Sequence, residues 1–290
     1  MTMRTLLLVA PAALFIGACT DGSGKDDSGT SGSEEADSDT DTDADTDADS
    51  DADTDADTDT DVGAAVSGTA VWADGSPAEG VQMRLCYETC RTANTDGGGA
   101  WTFSGVENVD HTLQAVVLGD TSYAVPHSIV MLRDDESRSM AESYRIDSFV
   151  TKTDLTEGGT ADVSGDGITI DAVQASITAG SYTPDYGEYY VATVEVDPAT
   201  AGLSWDGLDG SPVAMWYLGN FDSTVDPPFP FTTESTYGLD VGSKVNIWST
   251  SSEEHAWVSG GTGTVTEDGI VTDGGSGIRK LTTLVLTVAD

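Results

Sequence analysis

The chain reads as all-β: two antiparallel β-sandwich domains after a disordered acidic linker. Three observations predict this. Short runs of β-forming residues with alternating polarity recur from Ala64 to the C-terminus. Gly, Pro, Asn and Asp punctuate those runs at strand-length intervals. No helical period of useful length competes with them. The 290 residues carry 51 acidic against 11 basic side chains, a formal net charge of −40. Such a balance excludes nucleic acid as a partner, because phosphate binding needs Lys and Arg to release counterions. It equally disfavours direct docking of the folded part onto anionic lipid.

The first element, residues 1–18, is an address. Arg4 lies in a short, positively charged start, and Leu6 to Ile16 is an apolar run broken only by Pro11. That run is too short for a hydrocarbon core of about 30 Å, so it reads as a secretory signal. It ends in Ile16-Gly17-Ala18-Cys19. This resembles the lipobox of bacterial lipoproteins, which implies cleavage before Cys19 and lipidation of that cysteine. Several acyl chains would each add about 0.8 kcal/mol per buried CH₂. An ordinary cleaved signal is the alternative. By the enterobacterial sorting pattern, Thr20 in place of Asp implies the outer membrane.

Residues 19–63 form a tether. Asp occupies every odd position from 37 to 61, with Ser, Thr or Ala between. No apolar side chain larger than alanine interrupts residues 20–61, so the stretch cannot bury enough surface to offset its ordering entropy. Like charges at alternate positions extend it, to a reach on the order of 150 Å at about 3.4 Å per residue. Carboxylate arrays attract calcium, but no Gly lies between Asp37 and Asp61 to turn the backbone round an ion. A solvated spacer is the reading favoured here. Residues 62–290 still carry 33 acidic and 9 basic side chains, a net −24, which suits a salty medium.

Residues 64–133 are expected to be a small sandwich. Val66, Thr69 and Val71, then Val81, Met83 and Leu85, then Trp101 and Phe103, then Leu113, Ala115 and Val117 alternate. Turns fall at Asp74-Gly75-Ser76-Pro77, Asn94 to Gly97 and Glu107-Asn108. Ser67-Gly68-Thr69-Ala70-Val71, Asp74 to Val81 and Thr95 to Phe103 resemble the carboxypeptidase regulatory-like domain. The resemblance covers about 70 residues and implies a seven-stranded, transthyretin-like, non-catalytic sandwich. The chain departs from that pattern at Val109-Asp110-His111-Thr112-Leu113. Cys86 and Cys90, four apart, would stand about 13 Å from each other on a straight strand and could not bond. A hairpin through Tyr87-Glu88-Thr89 brings them together, and in an exported chain whose Cys19 is acylated they are left to pair. Closing so small a loop contributes roughly 2 kcal/mol. A metal site would need two further ligands recruited from His111 or His127.

Residues 134–147 read as a linker, with Met140 to Arg145 a short helix or strand, and 148–290 as the second β-sandwich. Tyr189–Val196, Pro212–Leu218, Lys244–Trp248 and Leu281–Val288 are its strongest strands. The stretch from Gly238 to Gly269, with Trp248, Trp257 and Gly261-Thr262-Gly263, is faintly similar to ZU5-like surface domains. Asp162-Val163-Ser164-Gly165-Asp166-Gly167 resembles the start of a dockerin or EF-hand loop, with Asp162, Ser164 and Asp166 as calcium candidates. The twelfth position is Val173, where a carboxylate is required, and a β-turn entering a strand explains the residues better. Asp226-Pro227-Pro228-Phe229-Pro230-Phe231 places Phe229 and Phe231 on a stiff loop, expected to be exposed and able to grip a sugar face or a partner. Trp205, Trp216, Trp248 and Trp257 could line a carbohydrate platform, but core packing explains them more cheaply.

Catalysis finds little support. The chain has no His-Glu-x-x-His, no Gly-x-Ser-x-Gly and no phosphate loop ending in Lys. Its three histidines, His111, His127 and His255, lie in no suggestive context. The sequence thus predicts a non-enzymatic, cofactor-free lipoprotein of the cell envelope that meets the membrane through its N-terminal lipid, with an envelope protein or a glycan as partner. A glycan-active enzyme or its accessory subunit is the alternative, and a calcium-dependent adhesive a third.

Overall fold

A computed structural model describes residues 63–289 apart from 135, 155–160, 173–175, 179–189 and 220–221. The residues read as a signal, Cys19 and, apart from residue 63, the stretch read as a tether lie outside the described residues. Those described are all-β and contain no helix.

Nine strands precede residue 150: β1 (Ala64–Trp72), β2 (Gln82–Cys86), β3 (Cys90–Asn94), β4 (Ala100–Val106) and β5 (Asp110–Val116), then β6 (Tyr123–Ala124), β7 (Ser128–Met131), β8 (Arg138–Ser139) and β9 (Tyr144–Ser148). They make two sheets, β4-β1-β9-β6 with β8 also on β1, and β3-β2-β5-β7. Two features depart from the sequence reading. The pairings of β1 with β8 and β9 are parallel, not antiparallel. Residues 134–147, expected as a linker, supply both of those strands, so the first sheet is incomplete without them.

Local chemistry explains the register. Gly68 leaves room for the Trp101 ring, since a Cβ there would lie 2.6 Å from it. Plain alternation puts Ala64, Val66 and Ala70 of β1 inward and leaves Val71 half-buried, while a bulge with its extra residue on β4 brings Val106 inward after Trp101 and Phe103. Asp74 closes its turn by accepting from the Ser76 N–H at 2.9 Å and hydroxyl at 2.6 Å. Asp96 does likewise, accepting from the N–H groups of Gly98 and Ala100.

Thirteen strands follow. The first seven are β10 (Thr151–Asp154), β11 (Ala161–Gly165), β12 (Ile168–Ala172), β13 (Ser176–Thr178), β14 (Tyr190–Glu195), β15 (Pro212–Tyr217) and β16 (Ser223–Phe229). The rest are β17 (Phe231–Thr233), β18 (Lys244–Ser251), β19 (Ala256–Thr266), β20 (Gly269–Thr272), β21 (Ile278–Leu281) and β22 (Thr283–Val288). Ten of them form one sheet, β10-β14-β15-β22-β18-β19-β20-β17-β12-β11, and β13-β16-β21 form another. The long sheet curls until its ends meet: the Thr193 hydroxyl on β14 donates to the Gly165 carbonyl on β11 at 3.2 Å. Gly165 permits this approach, because a Cβ would stand 2.3 Å from Thr151 of β10.

Two cores result, and they share strands. On β15, Met215 and Tyr217 enter the first core, with Val66, Leu113 and Ile129, whereas Ala214 and Trp216 enter the second. On β22, Val285 serves the first core, and Leu284 and Leu286 the second. Burial on both faces is why Pro212–Leu218 reads as an apolar run and why Leu281–Val288, a strong strand, carries no charged side chain. The same holds for β5, where even Thr112 and Gln114 are buried.

Candidate functional site

The two residues that close the β2–β3 hairpin begin the site. Cys86 and Cys90 face each other in register and form a disulfide with their Cα atoms 4.0 Å apart. Only Tyr87, Glu88 and Thr89 lie between, and the Tyr87 N–H donates to the Thr89 carbonyl at 3.2 Å. Tyr87 is 38% exposed and is the one aromatic among the exposed large apolar side chains of the described residues. Its ring meets His111 edge-on at 6.1 Å and His255 at 5.3 Å.

His111 comes from β5 and is buried, with Nε2 3.0 Å from the Glu107 carbonyl. An imidazole nitrogen facing a carbonyl is the protonated one, so Nδ1 of the neutral ring is an acceptor. That Nδ1 has no hydrogen-bond partner among the described residues. His255 comes from the β18–β19 turn, where it holds a left-handed backbone (φ 49°), and its Nδ1 lies 3.3 Å from the Thr112 hydroxyl. Partial burial lowers the His255 pKa and the neighbouring His111 lowers it further, against the pull of Asp110 and Asp222. Tyr87, Glu88, Arg91, Glu107 and His111 together line a cleft of about 280 Å³.

A second cleft, about 400 Å³, is lined by Asp166, Glu195, Asp197 and Tyr237. Burial raises the Glu195 carboxyl above its usual range; the Tyr237 hydroxyl offsets this in part and Asp166 adds to it. Trp216, fully buried, supports the cleft from beneath: its Nε1 donates to the Asp166 carbonyl at 2.9 Å and its ring meets Tyr237 edge-on. Beneath another part of the surface, Lys280 and Asp222 are both buried with Nζ 3.6 Å from Oδ1. The other Asp222 oxygen accepts from the N–H and hydroxyl of Ser252.

The structure redistributes the residues singled out in the sequence. Phe229 and Phe231 are not on an exposed loop. They are 2% and 1% exposed, the last residue of β16 and the first of β17, and both enter the second core. The Pro-rich stretch is a bulge in β16, with a register shift between Thr224 and Phe229 that turns the rings inward. Asp166 and Gly167, both at positive φ (56° and 77°), are the two-residue turn of the β11–β12 hairpin. The Asp166 carboxylate accepts from the Glu195 N–H. No group of three His, Cys, Asp or Glu among the described residues is arranged to hold a metal. Trp216 and Trp257 are core residues, and Trp257 stacks on Trp205 at 6.1 Å. His127 lies buried with its ring 5.9 Å from that of Tyr217, and burial lowers its pKa to about 4. None of the three histidines pairs with a serine hydroxyl among the described residues.

Sequence reasoning treated Tyr87, Glu88, Arg91 and Glu107 as loop and strand residues. The available signal was an aromatic inside Cys86-Tyr87-Glu88-Thr89-Cys90, where a covalent clasp fixes whatever it encloses.

No family model matches the chain, and no curated protein matches it. Among solved structures, the chain is similar to the TIE protein of Bacillus anthracis (8% identity, TM-score 0.25), with 78% of this chain and 45% of that one covered. It thus spans less than half of that protein's length. It is also similar to a DUF3823-family protein of Bacteroides ovatus (9%, 0.22), covering 79% of this chain and 100% of the other. A third is the major pilin SpaD of Corynebacterium diphtheriae (12%, 0.27; 77% and 81% covered). The functional argument therefore rests on the chain's own residues.

Proposed function

We propose that the protein is a cell-envelope lipoprotein in which an acylated Cys19 and an acidic tether display a rigid, non-catalytic β module. The observation that carries this reading is how the tether meets the fold. Residue 63 leads directly into β1, which is paired to β4 on one side and to β8 and β9 on the other. A tether attached to an edge strand would peel it away; here a pull loads a strand hydrogen-bonded on both sides. The cores behind β1 share strands, so the displayed block resists deformation as a unit. A carboxypeptidase regulatory-like first sandwich fits the role, since that family is usually non-catalytic. The lipobox-like Ile16-Gly17-Ala18-Cys19, with polar residues following at once, supports the anchor, and Thr20 supports the outer membrane.

The test is metabolic labelling with a tritiated fatty acid, followed by membrane fractionation, for wild type and Cys19→Ser. Label and protein should both sediment with the outer membrane, and Cys19→Ser should lose the label and leave the membrane. A wild-type chain without label, recovered in the soluble fraction, would overturn the reading.

A further inference from the structure

We propose that the cleft at the disulfide-closed tip of the β2–β3 hairpin is a carbohydrate subsite, with Tyr87 as the platform on which a neutral sugar ring stacks. This deepens the reading of the chain as a displayed module and rests on it. The first support is exposure. Among the described residues the other aromatics are buried or half-buried, while Tyr87 keeps 38% of its surface in solvent. An apolar ring left out in this way is an adhesive surface for the C–H face of a sugar.

The second support is rigidity. The Cys86–Cys90 bond, the Tyr87 N–H to Thr89 bond and the His111 and His255 rings hold Tyr87 before any ligand arrives. Little ordering entropy then opposes binding.

The third is the rim. Glu88, Glu107 and Arg91 are planar polar groups able to take pairs of hydroxyls. None of them joins an ion pair among the described residues, and Arg91 reaches only the Ser104 carbonyl, at 3.3 Å. Size and charge narrow the ligand. A volume of about 280 Å³ lies just under the roughly 300–1,000 Å³ of drug-sized pockets, which suits one ring or the end of a chain. Two rim glutamates on a block of net −24 repel phosphorylated, sulfated or sialylated ligands.

The experiment applies the full mature chain, in a non-glycosidic detergent, to an array of neutral, acidic and amino sugars, with free choline as a cation control. Saturable binding to neutral glycans is expected. It should fall at least tenfold in Tyr87→Ala and persist in Tyr87→Trp, with the disulfide mass unchanged and both variants fully folded at the assay temperature. A blank array, capture of acidic or cationic ligands alone, or Tyr87→Ala binding like wild type would each overturn the subsite. None of these outcomes alters the fatty-acid labelling, so failure of the subsite and failure of the anchor are read separately.

Discussion

Aromatic residues in this chain divide by what surrounds them, and Phe229 and Phe231 against Tyr87 is the sharpest case. Both phenylalanines are core residues, so truncation of either to Ala should cost about 3–5 kcal/mol, read as a drop in the urea midpoint. Tyr87→Ala gives up two ring contacts but no core packing, and should lower that midpoint by only about 0.5–1.5 kcal/mol. The sequence could not separate them, because prolines on both sides of Phe229 signal a loop, whereas a bulge that turns both rings inward is decided by the partner strand. Asp166-Gly167 was legible as a turn because the pair needs only local backbone geometry. His127 gives a second prediction. Its folded pKa, about 4, lies below the unfolded value of about 6.5, so the unfolded chain takes up the proton first. Stability is therefore full above about pH 6.5 and is lost as pH falls towards 4, by roughly 3 kcal/mol in all. Buried Asp222, whose carboxyl is raised by burial, works in the opposite sense. The difference between wild type and His127→Leu at pH 7 and pH 4.5 isolates the histidine, and the variant should show the weaker acid sensitivity.

At the scale of elements, β8 and the hairpin tip show what pattern reading reaches. The strongest strands, β14, β15, β18 and β22, carry long apolar or alternating runs and were visible as such. Strand β8 has two residues and pairs in parallel with a strand about 70 positions earlier, so no local period announces it. Its anchor is ionic. Arg138 pairs with Asp206 and donates to the Ser204 hydroxyl at 3.1 Å, which ties β8 to the loop after β14. Burial alone would raise the Asp206 carboxyl, but Arg138 and the Met131 N–H overcome it and hold it low. Arg138→Ala should cost roughly 2 kcal/mol, the range for a charge-assisted bond, and should raise amide exchange across β1 and β8. A change confined to residues 134–140 would mean that the segment is only a connector after all. The spacing of four did not by itself predict the disulfide, which was reached by elimination in an exported chain; the β2–β3 hairpin supplies the closure it needs. Cys86→Ser with Cys90→Ser should cost about 2 kcal/mol.

For the whole molecule, charge outweighs any single contact. The part beyond residue 61 holds 33 acidic and 9 basic side chains, too few cations to pair its carboxylates, although Arg133, Arg138, Arg145, Lys244 and Lys280 all join ion pairs. Most carboxylates thus face one another across solvent, and folding concentrates them on one compact surface. The unfolded chain spreads the same charges apart, so self-repulsion acts mainly against the fold. Its range is set by salt, with a Debye length of about 30 Å at 0.01 M and about 3 Å at 1 M. Raising NaCl across that interval should therefore raise the melting temperature, by about 2–4 °C for each kcal/mol of repulsion removed. The opposite slope would mean that the scattered ion pairs, which salt weakens, contribute more than the excess negative charge opposes. Calcium separates screening from a specific site. If the Asp162-Ser164-Asp166 segment is a hairpin and not an ion loop, CaCl₂ matched to NaCl in ionic strength should add little beyond screening. A saturating rise at a few millimolar, removed by chelator, would instead mean that the folded chain binds the ion.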